Sequence, residues 1–213
     1  MKFPKLCTVI FVFIMLISLT IGCASQSSTT TTQAFQIPSN YTTYTDESSL
    51  FSVSYPNQWE PVPDTALAAA MAQTKDTINA IKSGLPIEKA SILFAAGLKK
   101  PTGYYPSVNI VVEPSPTGVS SSEEAVQAEL LGLKQIDPKY QEVSRTKVVV
   151  NGKDAIIVEY KAHFSTSPLM HNLVLACLSS KTIWVLTCTA TDTDFSQWSN
   201  DFNNIARSFK INK

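Results

Sequence analysis

Leu173-Val174-Leu175-Ala176-Cys177-Leu178-Ser179-Ser180-Lys181-Thr182-Ile183-Trp184-Val185-Leu186-Thr187-Cys188 is the stretch that decides the fold. Two apolar runs flank a short polar break. With Ser180-Lys181 as a two-residue turn, residues 169–178 and 182–190 form a hairpin. Its register pairs Cys177 with Trp184, Leu175 with Leu186 and Leu173 with Cys188. Side chains alternate between faces along a strand, so these six share one face. Val174, Ala176, Leu178, Ile183 and Val185 share the other. Both faces are apolar, and a strand pair apolar on both sides belongs in the middle of a layered structure.

A second hairpin lies just upstream. Arg145-Thr146-Lys147-Val148-Val149-Val150 meets Asn151-Gly152 and then the β-rich run 153–164. Asn-Gly favours a type I′ turn because both central positions take positive φ. Val150 then faces Lys153, and Val148 faces Ala155. Further upstream, Phe51, Val53 and Tyr55 alternate with polar residues in a half-buried strand. Pro56 stops it, and Trp59 folds back as a core plug. Asp64 resembles a helix N-cap, and Leu67, Met71, Thr74, Ile78, Ile81 and Leu85 follow at helical steps until Gly84 and Pro86. Residues 91–96 and 107–113 read as strands. Ser121 and Glu124 make a capping box for a helix with Val126, Leu130 and Leu133 inward. Downstream of the deciding hairpin, Asp194 and Gln197 open a last helix, with Phe195, Trp198, Phe202, Ile205 and Phe209 along one side. Hairpins dominate, so the expected class is α+β, an antiparallel sheet sandwiched by helices.

Composition agrees with one folded domain plus extra segments. The chain has 213 residues, 44% of them hydrophobic, with 17 basic and 17 acidic side chains. That balance removes the electrostatic warrant for nucleic-acid binding. Residues 1–22 form a secretory leader: Lys2 and Lys5, then an apolar core, then Leu19-Thr20-Ile21-Gly22 before Cys23. A small residue followed by cysteine after such a core resembles the bacterial lipobox. There the thiol becomes a lipid thioether, the cysteine becomes the new N-terminus, and further acyl chains (palmitate) are added. Cleavage would leave 15 basic against 17 acidic residues, with no electrostatic pull toward anionic lipid. Two or three acyl chains, at ~0.8 kcal/mol per buried methylene, would then anchor the protein. Residues 23–43, rich in Ser and Thr, read as a tether that holds the 44–213 domain roughly 25 Å from the bilayer.

Four segments resemble the PsbP family, the extrinsic photosystem proteins and their lipoprotein relatives. They are Phe51-Ser52-Val53-Ser54-Tyr55-Pro56-Asn57-Gln58-Trp59, Ser107-Val108-Asn109-Ile110-Val111-Val112-Glu113-Pro114, Val150-Asn151-Gly152-Lys153 and Ala206-Arg207-Ser208-Phe209. They occur in the family's order, across residues 44–211. The resemblance implies an α-β-α sandwich and a non-catalytic role as an accessory of membrane complexes. The long helix and the lipid tether suggest a general prokaryotic relative rather than a photosynthetic component.

Little in the sequence supports catalysis. It contains no Gly-x-Ser-x-Gly, His-Glu-x-x-His, Walker or Gly-x-Gly-x-x-Gly pattern. Cys188 stands four residues along the strand from Trp184, the partner of Cys177. That is roughly 13 Å at ~3.3 Å per residue. A disulfide needs Cα atoms within ~7 Å, so two buried free thiols are expected. His163 and His171 are the only histidines. The register sets His171 opposite Ala190, with Asp192 as its diagonal neighbour and Asp194 close by. Some PsbP relatives are thought to bind a divalent metal with a His on this strand and an Asp before the last helix. The resemblance therefore implies His171, Asp192 and Asp194 as a weak, open metal site. The expectation is a lipid-anchored, extracytoplasmic, non-enzymatic binding or accessory protein with an envelope protein as partner. A divalent-metal-binding member and an envelope hydrolase are the alternatives, and no small-molecule ligand can be read.

Overall fold

The computed structural model describes residues 35–68, 90–98, 105–137, 139–163 and 168–212. The expected leader, Cys23, the spacer up to residue 34 and most of the helix expected from Asp64 lie outside these residues. Residues 64–68 are helical, and the Pro63 carbonyl accepts from Leu67 N at 3.0 Å, so Pro63 holds the N-cap position expected of Asp64, which is already the first helical residue.

Among the described residues the strands form two antiparallel sheets. The larger has seven strands: β3 (Glu60–Pro61), β4 (Ser91–Gly97), β5 (Ser107–Pro114), β6 (Gln141–Val150), β7 (Lys153–His163), β8 (Leu169–Ser179) and β9 (Thr182–Thr191). Their order is β3-β4-β5-β9-β8-β7-β6. The β8–β9 hairpin, apolar on both faces, is central, as the sequence requires. Both turns have positive φ at their two central residues: Asn151 and Gly152 at 49° and 75°, Ser180 and Lys181 at 52° and 64°. The registers match residue for residue, with Cys177 opposite Trp184, His171 opposite Ala190 and Val148 opposite Ala155.

The smaller sheet has three strands, ordered β1 (Tyr41–Thr45), β2 (Phe51–Pro56) and β10 (Lys210–Ile211). It corrects two expectations. The single sheet of the sequence reading is divided in two, and the domain begins before residue 44, because Tyr41–Thr45 pairs with β2 from Tyr41 opposite Pro56. Tyr-Thr-Thr-Tyr-Thr is rich in aromatic and β-branched residues, which suits an edge strand.

The layers follow from side-chain alternation. One face of the large sheet presents Phe94, Ile110, Leu175, Trp184 and Leu186 to the small sheet and to helix α2 (Phe195–Ser208). Phe195, Trp198, Phe202 and Ile205 of α2 are buried there, and Phe209 follows them as the cap residue. Trp59 packs edge-on against Trp198 and Phe202, at 6.1 and 6.3 Å between ring centroids, which is the expected plug. The opposite face carries Ile156, Val158, Tyr160 and Ala176 beneath helix α1 (Ser122–Ile136), which contributes Val126 and Leu130. Ser121 Oγ accepts from Glu124 N at 3.2 Å, completing half of the capping box. The Glu124 carboxylate accepts from Ser120 N and Oγ at 2.7 and 2.8 Å. Those bonds hold it below the usual carboxylate range. Ser122 Oγ donates to the Asp154 carbonyl at 2.7 Å and accepts from Leu178 N at 2.9 Å, fastening α1 to β7 and β8.

Candidate functional site

The chemistry-bearing side chains meet where β7, β8 and β9 run up to the start of α2. His171 stands on β8 opposite Lys161 of β7 and Ala190 of β9. After β9 the backbone turns, Asp192 N donating to the Leu169 carbonyl at 2.9 Å and so fixing Asp192 beside the start of β8. His171 Nδ1 then lies 3.1 Å from Asp192 Oδ1, and Nε2 lies 2.7 Å from Glu159 Oε1. Lys161 Nζ sits 2.7 Å from the same Asp192 oxygen. Hydrogen bonding to Lys161, with the charges of Lys161 and His171, holds the Asp192 carboxyl below its ordinary range. The imidazole is buried, and the Phe195 ring stacks on it with centroids 3.6 Å apart and planes 9° from parallel.

The structure thus joins two of the three residues expected from the sequence, His171 and Asp192. Asp194 occupies the N-cap position of α2, but its side chain makes no cap hydrogen bond. Its backbone is already in the helical region, φ −98° and ψ −13°, instead of the extended conformation that aims an N-cap oxygen at the first turn. The Asp194 carbonyl accepts from Gln197 N at 3.0 Å, so the backbone does what its carboxylate was expected to do. Glu159 and Lys161 escaped the sequence reading. A signal existed, since both alternate onto the face of Ala155, but five residues separate β7 from β8, too many for a two-residue hairpin turn to fix the register.

Each ring nitrogen of His171 faces a carboxylate, so the ring cannot accept a proton from a nucleophile or ligate a metal without losing one of these bonds. Among the described residues no group of three or more His, Cys, Asp or Glu side chains is arranged to hold a metal ion. Cys177 and Cys188 are free and buried, as expected. Burial raises both thiols, which keeps them protonated and poorly nucleophilic. The cluster's clear consequence is mechanical: it ties β7, β8 and the start of α2 together.

The family model described as PsbP matches residues 39–211. The chain belongs to the PsbP family. Cyanobacterial PsbP from Synechocystis sp. PCC 6803 has a similar solution structure, with a TM-score of 0.54 at 11% identity. That match covers 82% of this chain and 94% of the other. LpqN of Mycobacterium tuberculosis, described as involved in cell envelope biogenesis, aligns with a TM-score of 0.49 at 12% identity, over 76% of this chain and 82% of its own. No curated protein matches the chain. At these identities the structural likeness speaks for the fold, and the PsbP-family fold here is the α+β sandwich described above.

Proposed function

We propose that this PsbP-family chain is an extracytoplasmic accessory protein that binds an envelope protein and catalyses nothing, held to the membrane by acyl chains on Cys23. The observation that carries this reading is the family match over residues 39–211, set behind Gly22-Cys23 and its Ser/Thr-rich spacer. The saturated His171 and the buried thiols support it, since neither that imidazole nor those thiols are free to act as a base–nucleophile pair. A lipid anchor suits such a role because it holds the domain near membrane partners and raises their effective concentration.

Cys23→Ser tests the anchor. The variant is expected to move from the membrane to the soluble fraction, while the native N-terminal peptide carries acyl mass on Cys23. A native chain that keeps an unmodified leader would overturn the proposal. Crosslinking in cells is expected to return one envelope protein with the native chain and less of it with the released variant.

A further inference from the structure

The face of the large sheet beneath α1 is not filled. A cavity of about 360 Å³ lies between the helix and the strands. Val126, Leu130 and Leu133 line it from α1, and Val158, Val174 and Val185 from β7, β8 and β9. Its volume is at the lower end of those of small-molecule sites. Two carboxyl groups enter this apolar lining, Glu113 from β5 and Glu129 from α1, and they hydrogen bond to each other. The remaining titratable group in the wall is Tyr160, whose phenol burial pushes up. No Lys, Arg or His lines the cavity. Among the described residues neither carboxylate has a basic partner.

We propose that this cavity binds a small molecule with an apolar body and one protonated amine, the ammonium seated between Glu113 and Glu129. Two neighbouring carboxyls in low dielectric cannot both ionise cheaply, so one proton stays between them. Burial first, and the hydrogen bond to Glu113 second, push Glu129 up to about 8. An incoming ammonium supplies the missing positive charge. It donates N–H bonds to both carboxylates and releases the shared proton to solvent. A bare divalent cation fits less well, because calcium needs six to eight oxygen ligands and the rest of this wall is chiefly aliphatic. An anionic amphiphile would add a third negative charge. The site is separate from the His171 cluster, so the inference goes beyond the accessory role and does not depend on Cys23.

Calorimetry on the full chain with hexylamine, hexanol and hexanoate tests this near pH 7, in two buffers of different ionisation enthalpy. Hexylamine should bind saturably and release up to one proton per ligand. Glu129→Gln should weaken hexylamine at least about tenfold, the scale of a charged hydrogen bond, and leave hexanol unchanged. Any partition into detergent is common to both proteins and cancels. If Glu129→Gln does not fold, as judged by its melting transition, Glu113→Gln takes its place with the same expectation. No saturable hexylamine binding, hexanoate binding as tightly as the amine, no proton release, or equal affinity in the variant would each overturn the proposal.

Discussion

The two faces of the large sheet are built to different standards. The face under α2 and the small sheet is filled by rings: Phe51, Trp59, Phe94, Trp184, Phe195, Trp198, Phe202 and Phe209 are all buried there. The face under α1 is lined by Val, Ala, Leu, Ile and the Tyr140–Tyr160 pair, and it keeps a cavity with a carboxyl pair. The aromatic layer carries most of the buried apolar surface, and thus most of the hydrophobic stabilisation. The aliphatic layer keeps empty volume and poorly solvated charge, both of which cost stability. A fold can tolerate that on one side when the other is well packed, and the tolerated side is where a ligand has room.

The comparison breaks most sharply at Phe202. This side chain is wholly buried between Phe195 and Trp59, and Phe202→Ala should cost about 3–5 kcal/mol in urea unfolding. A loss below about 1 kcal/mol would mean that the aromatic layer is not the principal core. One substitution made on each face sharpens the contrast. Val53→Leu, on the small sheet packed against the filled face, adds a methylene where exposure is 0% and should destabilise by about 1–3 kcal/mol. Val174→Leu adds the same group beside the cavity and should change stability by less than about 0.5 kcal/mol, or raise it. Equal costs at the two sites would remove the distinction.

The last test reads a slope in pH. Glu129 holds its proton more tightly folded than unfolded, so between the two pKa values the native state binds more protons. Stability must then fall as pH rises. The contribution is fully present below the unfolded value of about 4.3 and is lost as pH passes about 8. Unfolding free energies measured from pH 5 to pH 8 should decline in the native chain and flatten in Glu129→Gln. Parallel slopes would show that Glu129 is ionised in the folded protein.

The large sheet was legible because its two hairpins state their own register. Asn151-Gly152 and Ser180-Lys181 are two-residue turns between alternating runs, and once the turn is placed every partner is determined. The small sheet was not legible for the opposite reason. Lys210–Ile211 is two residues long and shows no period, and Tyr41–Thr45 is a mostly exposed edge that looks like the Thr-rich spacer before it. At the His171 cluster, Asp192 followed from the β8–β9 register, whereas Glu159 and Lys161 depend on a β7–β8 pairing that no local signal announces. The cavity was half legible. Val126, Leu130 and Leu133 mark the inward stripe of α1, and Glu129, three residues after Val126, flanks that stripe, but no sequence pattern shows that Glu113 of β5 stands across from it.

The pairing of β10 with β2 has a consequence for biosynthesis. Ile211 lies opposite Phe51, Asn212 N donates to the Leu50 carbonyl at 2.8 Å, and Ser208 Oγ accepts from Ser54 N at 2.8 Å. These contacts join parts of the polypeptide more than 150 positions apart, so a nascent chain cannot seal its ring-rich layer until β10 has emerged. Contacts of such long sequence separation form slowly. During that wait Phe51 and Trp59 stay sticky, and a chaperone that shields them would decide the yield of folded molecules.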